Sequence, residues 1–135
     1  MERKLAAILA ADIVGYSRLM ARDEEGTLGA LKGLRHDIFD PAVRARGGRL
    51  VKLMGDGALV EFASVVAAVE CALAIQESMT ARYADGPEEE AVAMRIGVHV
   101  GDVIVQGDDL YGDGVNLAAR LEAEAEPGGV AISQD

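Results

Sequence analysis

Apolar residues fall into two rhythms along this chain. Over residues 5–14 they are nearly consecutive, broken by Asp12, as in a strand buried on both faces by helices. From Asp23 the rhythm lengthens. Leu28, Leu31, Leu34 and Ile38 recur at helical spacing behind a capping Asp23, and Glu24 and Glu25 suit the positive end of the helix dipole. Pro41 predicts a kink or restart before Gly47 and Gly48 end this helix.

Two strand-like runs, RLVKLM and ALVEF within 49–62, flank Gly55-Asp56-Gly57, a hairpin signal that puts Asp56 at the tip. Ser64 then caps a long helix in which Val65, Val66, Val69, Leu73 and Gln76 keep helical spacing to about Tyr83. The DGPEEE stretch at 85–90 is a loop inside the domain. Residues 94–100 and 103–106 read as two strands meeting at Gly101-Asp102. Residues 115–124 read as a short helix closed by Pro127, Gly128 and Gly129, and 130–132 as a last strand. The β-α-β-β-α-β order predicts the α+β class, with a ferredoxin-like or palm core: an antiparallel sheet with helices packed on one face.

Composition narrows the picture. At 135 residues with half of them apolar, residues 1–135 have the size and the core of a single domain. No apolar run reaches membrane-spanning length, and a lone cysteine, Cys71, on the expected buried stripe of a helix fits a reducing cytoplasm. A net charge of -10 with no Lys or Arg cluster argues against a nucleic-acid partner. A nucleotide substrate stays open, because a bound metal can reverse the local field.

Asp12 is the first candidate for chemistry. A carboxylate inside an apolar strand is costly unless a metal or cation compensates; the competing reading is an Asp at the strand end that caps the turn toward Ser17. Asp56 alone reads as hairpin chemistry, yet in a palm core its hairpin lies beside the end of the first strand. Asp12 and Asp56 could then converge on Mg²⁺ or Mn²⁺, which favour hard oxygen ligands. Lys52 shares a strand face with Leu50 and Met54 by alternation, either an ammonium in an apolar pocket or a snorkelling edge lysine. Asn116 and Arg120, four apart on one helix face, can grip a sugar and a phosphate, or are ordinary exposed polar residues. His99, inside an apolar strand, reads as a hydrogen-bonded structural histidine, and His36 gives no signal.

Together these positions resemble the class III adenylate and guanylate cyclases. The resemblance rests on ADIVGYSRLM at 11–20, GGRLVKLMGDGALVEF at 47–62, MRIGVHVGDVIV at 94–105 and DLYGDGVNLAARLE at 109–122, in that order. It implies two metal ions on Asp12 and Asp56, one activating the ribose 3′-hydroxyl for in-line attack on the α-phosphate, the other holding the triphosphate and pyrophosphate. It also implies adenine selection by Lys52 and Asp109, since adenine N1 accepts a hydrogen bond where guanine offers N1-H. Asn116 and Arg120 match the pair that orients the ribose and stabilises charge at the α-phosphate.

The same resemblance implies a homodimer with two shared sites, metal aspartates from one protomer and Lys52, Asp109, Asn116 and Arg120 from the other. The expected reaction is ATP to 3′,5′-cyclic AMP and pyrophosphate, in cyclic nucleotide signalling. Family domains continue past residue 135, with a lysine that contacts the triphosphate. The chain is therefore expected to lack C-terminal elements, and further domains are expected in a longer protein. The alternative from another class is a non-catalytic nucleotide-sensing or dimerisation module. A diguanylate cyclase would need GG(D/E)EF where this chain has MGDGALVEF.

Overall fold

The computed structural model describes residues 2–133. Strand β1 (Glu2–Ile13) lies inside a six-stranded sheet, antiparallel to β3 (Gly57–Phe62) on one side and to β4 (Met94–Gln106) on the other. Beyond β3 lies β2 (Arg49–Met54), and beyond β4 lies β5 (Asp109–Tyr111), giving the order β2-β3-β1-β4-β5. A sixth strand, β6 (Val130–Ile132), pairs with β4 in parallel. The α+β core expected from the sequence is present.

Both faces of β1 are covered. Ala7, Leu9, Ala11 and Ile13 join a core with Leu34, Ile38, Phe39 and Val43 and with α4 (Val65–Tyr83). Ala6, Ile8 and Ala10 join a second core with Leu59, Val103, Leu110 and with Ala118 of α5 (Asp113–Glu124). A helix therefore lies on each side of the sheet, whereas the element order had suggested one side. The consecutive burial of residues 6–11 is the mark of that two-sided cover.

Three local expectations are corrected. No turn interrupts β4 at Gly101-Asp102, because these residues pair with Ala6 and Leu5 in an unbroken ladder. Gly101 instead makes room for neighbours: a Cβ there would lie 2.7 Å from His99 Nε2 and 3.2 Å from Gly114 Cα. In α4 the buried stripe is Ala68, Cys71, Ala72, Ile75, Gln76 and Met79, while Val66 and Leu73 face outward. Small side chains on that stripe bring the helix close to the sheet, and its cap is as expected, Ser64 Oγ accepting from Ala67 N at 3.1 Å. In β2 a bulge between Leu50 and Lys52 shifts the register, so Leu50 opposes Val60 but Lys52 opposes Leu59. Those partners lie in different cores, and Lys52 is thereby turned away from the face of Leu50.

The helical region before β2 is segmented. Gly15, at φ 66, precedes a short helix α1 (Tyr16–Arg22) that the apolar pattern did not reveal. Asp23 then caps α2 (Glu24–Leu34) by accepting from Gly26 N at 3.0 Å. The kink assigned to Pro41 takes the form of a π-helical turn (Arg35–Phe39) leading into α3 (Asp40–Ala45), where Pro41 occupies the first turn. The edge strands β2 and β5 meet across the curl of the sheet, where Arg49 Nη1 donates to Asp108 O at 2.9 Å.

Candidate active site

Strand alternation puts Asp12 on the face of Ala6, Ile8 and Ala10, the side covered by α5. The β2–β3 hairpin closes with Met54 opposite Gly57, leaving Gly55 and Asp56 as a two-residue loop whose first residue is at φ 60. Glycine at that position suits the primed turn that such hairpins use. Asp56 Oδ2 accepts the Ile13 N–H at 3.0 Å. This bond ties the hairpin tip to the residue after Asp12 and so sets Asp56 beside the end of β1.

A third carboxyl belongs to the same cluster. Glu122 of α5 is 9% exposed, and Asp12 and Asp56 are the carboxylates near enough to act on it. It gets there because Gly97 of β4 lets the helix backbone touch the sheet: a Cβ on Gly97 would sit 2.3 Å from Glu122 N. Burial, then the hydrogen bond and charge of Asp12, with a smaller push from Asp56, raise the Glu122 carboxyl to about 8 against the pull of Arg95. Asp12 Oδ1 and Glu122 Oε1 are buried without a hydrogen-bond partner among the described residues.

Such orphaned acceptors fit a hard divalent cation, which neutralises carboxylates and prefers oxygen. Among the described residues no three His, Cys, Asp or Glu side chains are placed to hold a metal by themselves. Mg²⁺ sites can be built from one or two carboxylates, with substrate phosphates completing the shell. Asp12, with a buried unpaired oxygen, and Asp56, at the adjoining hairpin tip, are the residues that could hold such an ion.

A second cluster forms where the sheet edges meet. Lys52 Nζ pairs with Asp109 Oδ1 at 3.0 Å and lies 5.0 Å from the centre of the Tyr111 ring. The hydrogen bond from Lys52, then those from Tyr111 and the Leu110 N–H, hold the Asp109 carboxyl below its usual range. Tyr111 is pushed up in turn by Asp109. The β2 bulge is what allows this meeting.

Asn116 and Arg120 are not gathered into either cluster. The buried face of α5 is Gly114, Ala118 and Glu122, four residues apart, and positions two residues off that series point to the opposite side. Both side chains are accordingly exposed. His99 proves to be hydrogen-bonded, its Nδ1 2.8 Å from Ser133 Oγ, and His36 is exposed beside Asp37. Sequence reasoning gave no role to Glu122 or Tyr111. The available signal for Glu122 was a carboxylate continuing the small-residue series Gly114, Ala118 on one helix face.

The family model described as adenylate and guanylate cyclase catalytic domain matches residues 2–135. The chain belongs to this cyclase family. A putative adenylate cyclase 3 of Rhizobium meliloti (strain 1021) is 56% identical over 133 residues, covering 98% of this chain and 23% of that protein. An adenylate cyclase of Streptomyces coelicolor (strain ATCC BAA-471 / A3(2) / M145) is 36% identical over 132 residues, covering 98% of this chain and 33% of its own length. Among solved structures, an adenylate/guanylate cyclase/hydrolase from Silicibacter pomeroyi superposes with a TM-score of 0.91 at 47% identity, covering 98% of this chain and 77% of that one. The cyclase domain thus spans a quarter to a third of these curated relatives. Among its described residues no helix is long and apolar enough to cross a membrane.

Proposed function

We propose that this cyclase domain forms 3′,5′-cyclic AMP and pyrophosphate from ATP, at sites shared across a homodimer. The observation that carries the adenine preference is the Lys52–Asp109 pair at 3.0 Å. Side by side, an ammonium donor and a carboxylate acceptor complement adenine, whose N1 accepts and whose 6-amino group donates. Guanine reverses both groups and would oppose donor to donor and acceptor to acceptor. Relatives named adenylate cyclase support the same reading.

Asp12 and Asp56 would hold two divalent cations, Mg²⁺ or Mn²⁺, which supply Lewis acidity to the 3′-hydroxyl and the phosphates when bound. Asp56 keeps its position through the Ile13 N–H, leaving its other oxygen free of that bond. Asn116 would orient the ribose, and Arg120 would stabilise charge gathering at the α-phosphate as a preorganised donor. Their outward placement on α5 supports a site completed by a second copy, with Lys52, Asp109, Asn116 and Arg120 facing the aspartates of the partner. The signalling role and further domains of a longer protein belong to the same proposal.

The test is direct. The chain, and a version extended at its C-terminus, are incubated with ATP or GTP and Mn²⁺ or Mg²⁺, and cyclic product is measured. Cyclic AMP should form, and Asp12→Ala or Asp56→Ala should abolish it. ATP binding without product from the extended protein would favour a nucleotide-sensing module, and a preference for GTP would overturn the assignment of Lys52 and Asp109.

A further inference from the structure

The Glu122 carboxyl is unusual for a helix that otherwise packs with glycine and alanine. It occupies the third position of the buried Gly114, Ala118, Glu122 series, where the approach of α5 to β4 is set by Gly97. A carboxyl at such a place is costly unless another group balances it. Its protein surroundings balance it poorly. Asp12 and Asp56 are neighbouring carboxylates, and Arg95 is the nearby cation. Arg95 is in part committed elsewhere, its Nε donating to Ala125 O at 3.0 Å. One oxygen of Glu122 and one of Asp12 remain without partners among the described residues.

We propose that Glu122 is a positioning carboxyl of the cation site, packing on Asp12 from α5 and orienting that side chain toward the metal. The inference rests on the assignment of Asp12 and Asp56 to metal binding. In this reading Glu122 acts through Asp12 and is not itself a ligand. Partners one step beyond the ligands set their orientation and the affinity for the ion.

The experiment measures Mn²⁺ affinity by electron paramagnetic resonance of free Mn²⁺, with 3′-deoxy-ATP present as a nucleotide that cannot cyclise. Wild type, Glu122→Gln, Glu122→Asp and Asp12→Asn are compared. Glu122→Gln keeps shape and removes the carboxyl, and its Mn²⁺ affinity should fall about 10-fold or more, by the usual effect of losing such a partner. Glu122→Asp, which keeps the carboxyl, should retain more affinity than Glu122→Gln. The Mn²⁺-dependent rise in melting temperature, read within each variant, should shrink in the same order, independently of any change in baseline stability. Glu122→Gln within twofold of wild type, with Asp12→Asn impaired, would overturn the role of Glu122 alone. Asp12→Asn within twofold of wild type would overturn the metal assignment and this inference with it.

Discussion

Gly97 is where fold and site can be perturbed together. Replacing it with alanine would put a Cβ 2.3 Å from Glu122 N, 2.5 Å from Ala118 O and 2.9 Å from Glu122 Cα. All three are backbone atoms of α5, so no side chain can swing aside. Restoring ordinary contact at 3.4 Å requires the helix to move by about 1 Å, and overpacking of this kind costs about 1–3 kcal/mol. For a domain of this size, about 2 kcal/mol lowers the melting temperature by roughly 6–10 °C. The same shift carries Glu122 away from Asp12 and displaces Asn116 and Arg120, and a 1 Å misplacement costs about 100-fold in rate. Circular-dichroism melting and cyclic AMP formation measure the two effects. Gly29→Ala is the control: it is exposed on α2 with nothing within 4 Å of the new Cβ, so it should stabilise by up to about 1 kcal/mol. Gly97→Ala melting within 1 °C of wild type (~1 °C being the resolution of such a melt, well below the shift predicted above) with activity unchanged would refute the reasoning.

Two further predictions concern charge. Lys52→Glu should replace the ammonium donor with an acceptor, place two carboxylates together at Asp109, and lower kcat/KM for ATP by about 100-fold or more; a variant that keeps its ATP preference would remove Lys52 from base selection. Glu61 on β3 is paired with Lys4 and with Arg49, the latter at 2.9 Å. Burial pushes its carboxyl up, but the hydrogen bonds from Lys4 and Arg49 outweigh that and hold it below the usual 4.5. Because the folded-state value is depressed, the pair stabilises fully above about pH 4.5, and that stability is lost as pH falls through the folded value. Glu61→Gln should therefore cost about 0.5–1 kcal/mol at pH 7 and flatten the acid limb of a urea-midpoint curve; parallel curves for the two proteins from neutral to acid pH would refute the linkage.

Much of this protein was legible along the chain. Consecutive apolar residues marked β1 as an inner strand, Ser64 and Asp23 marked helix starts through their caps, and the Gly-Asp-Gly run marked the hairpin that carries Asp56. These are local signals, written by backbone geometry and by which side chains water rejects. The family resemblance was legible for the same reason, since its motifs sit on those elements. The tertiary structure decided what depends on close approach between distant segments. It showed that β4 runs straight through Gly101-Asp102, because a neighbouring strand supplies the hydrogen bonds a turn would have needed. The β2 bulge shifted the register and brought Lys52 to Asp109 across the curl of the sheet. A missing Cβ at Gly97 drew α5 down and buried Glu122 against Asp12. Such contacts have no period in the sequence, because each is set by the shape of a surface contributed by another part of the chain.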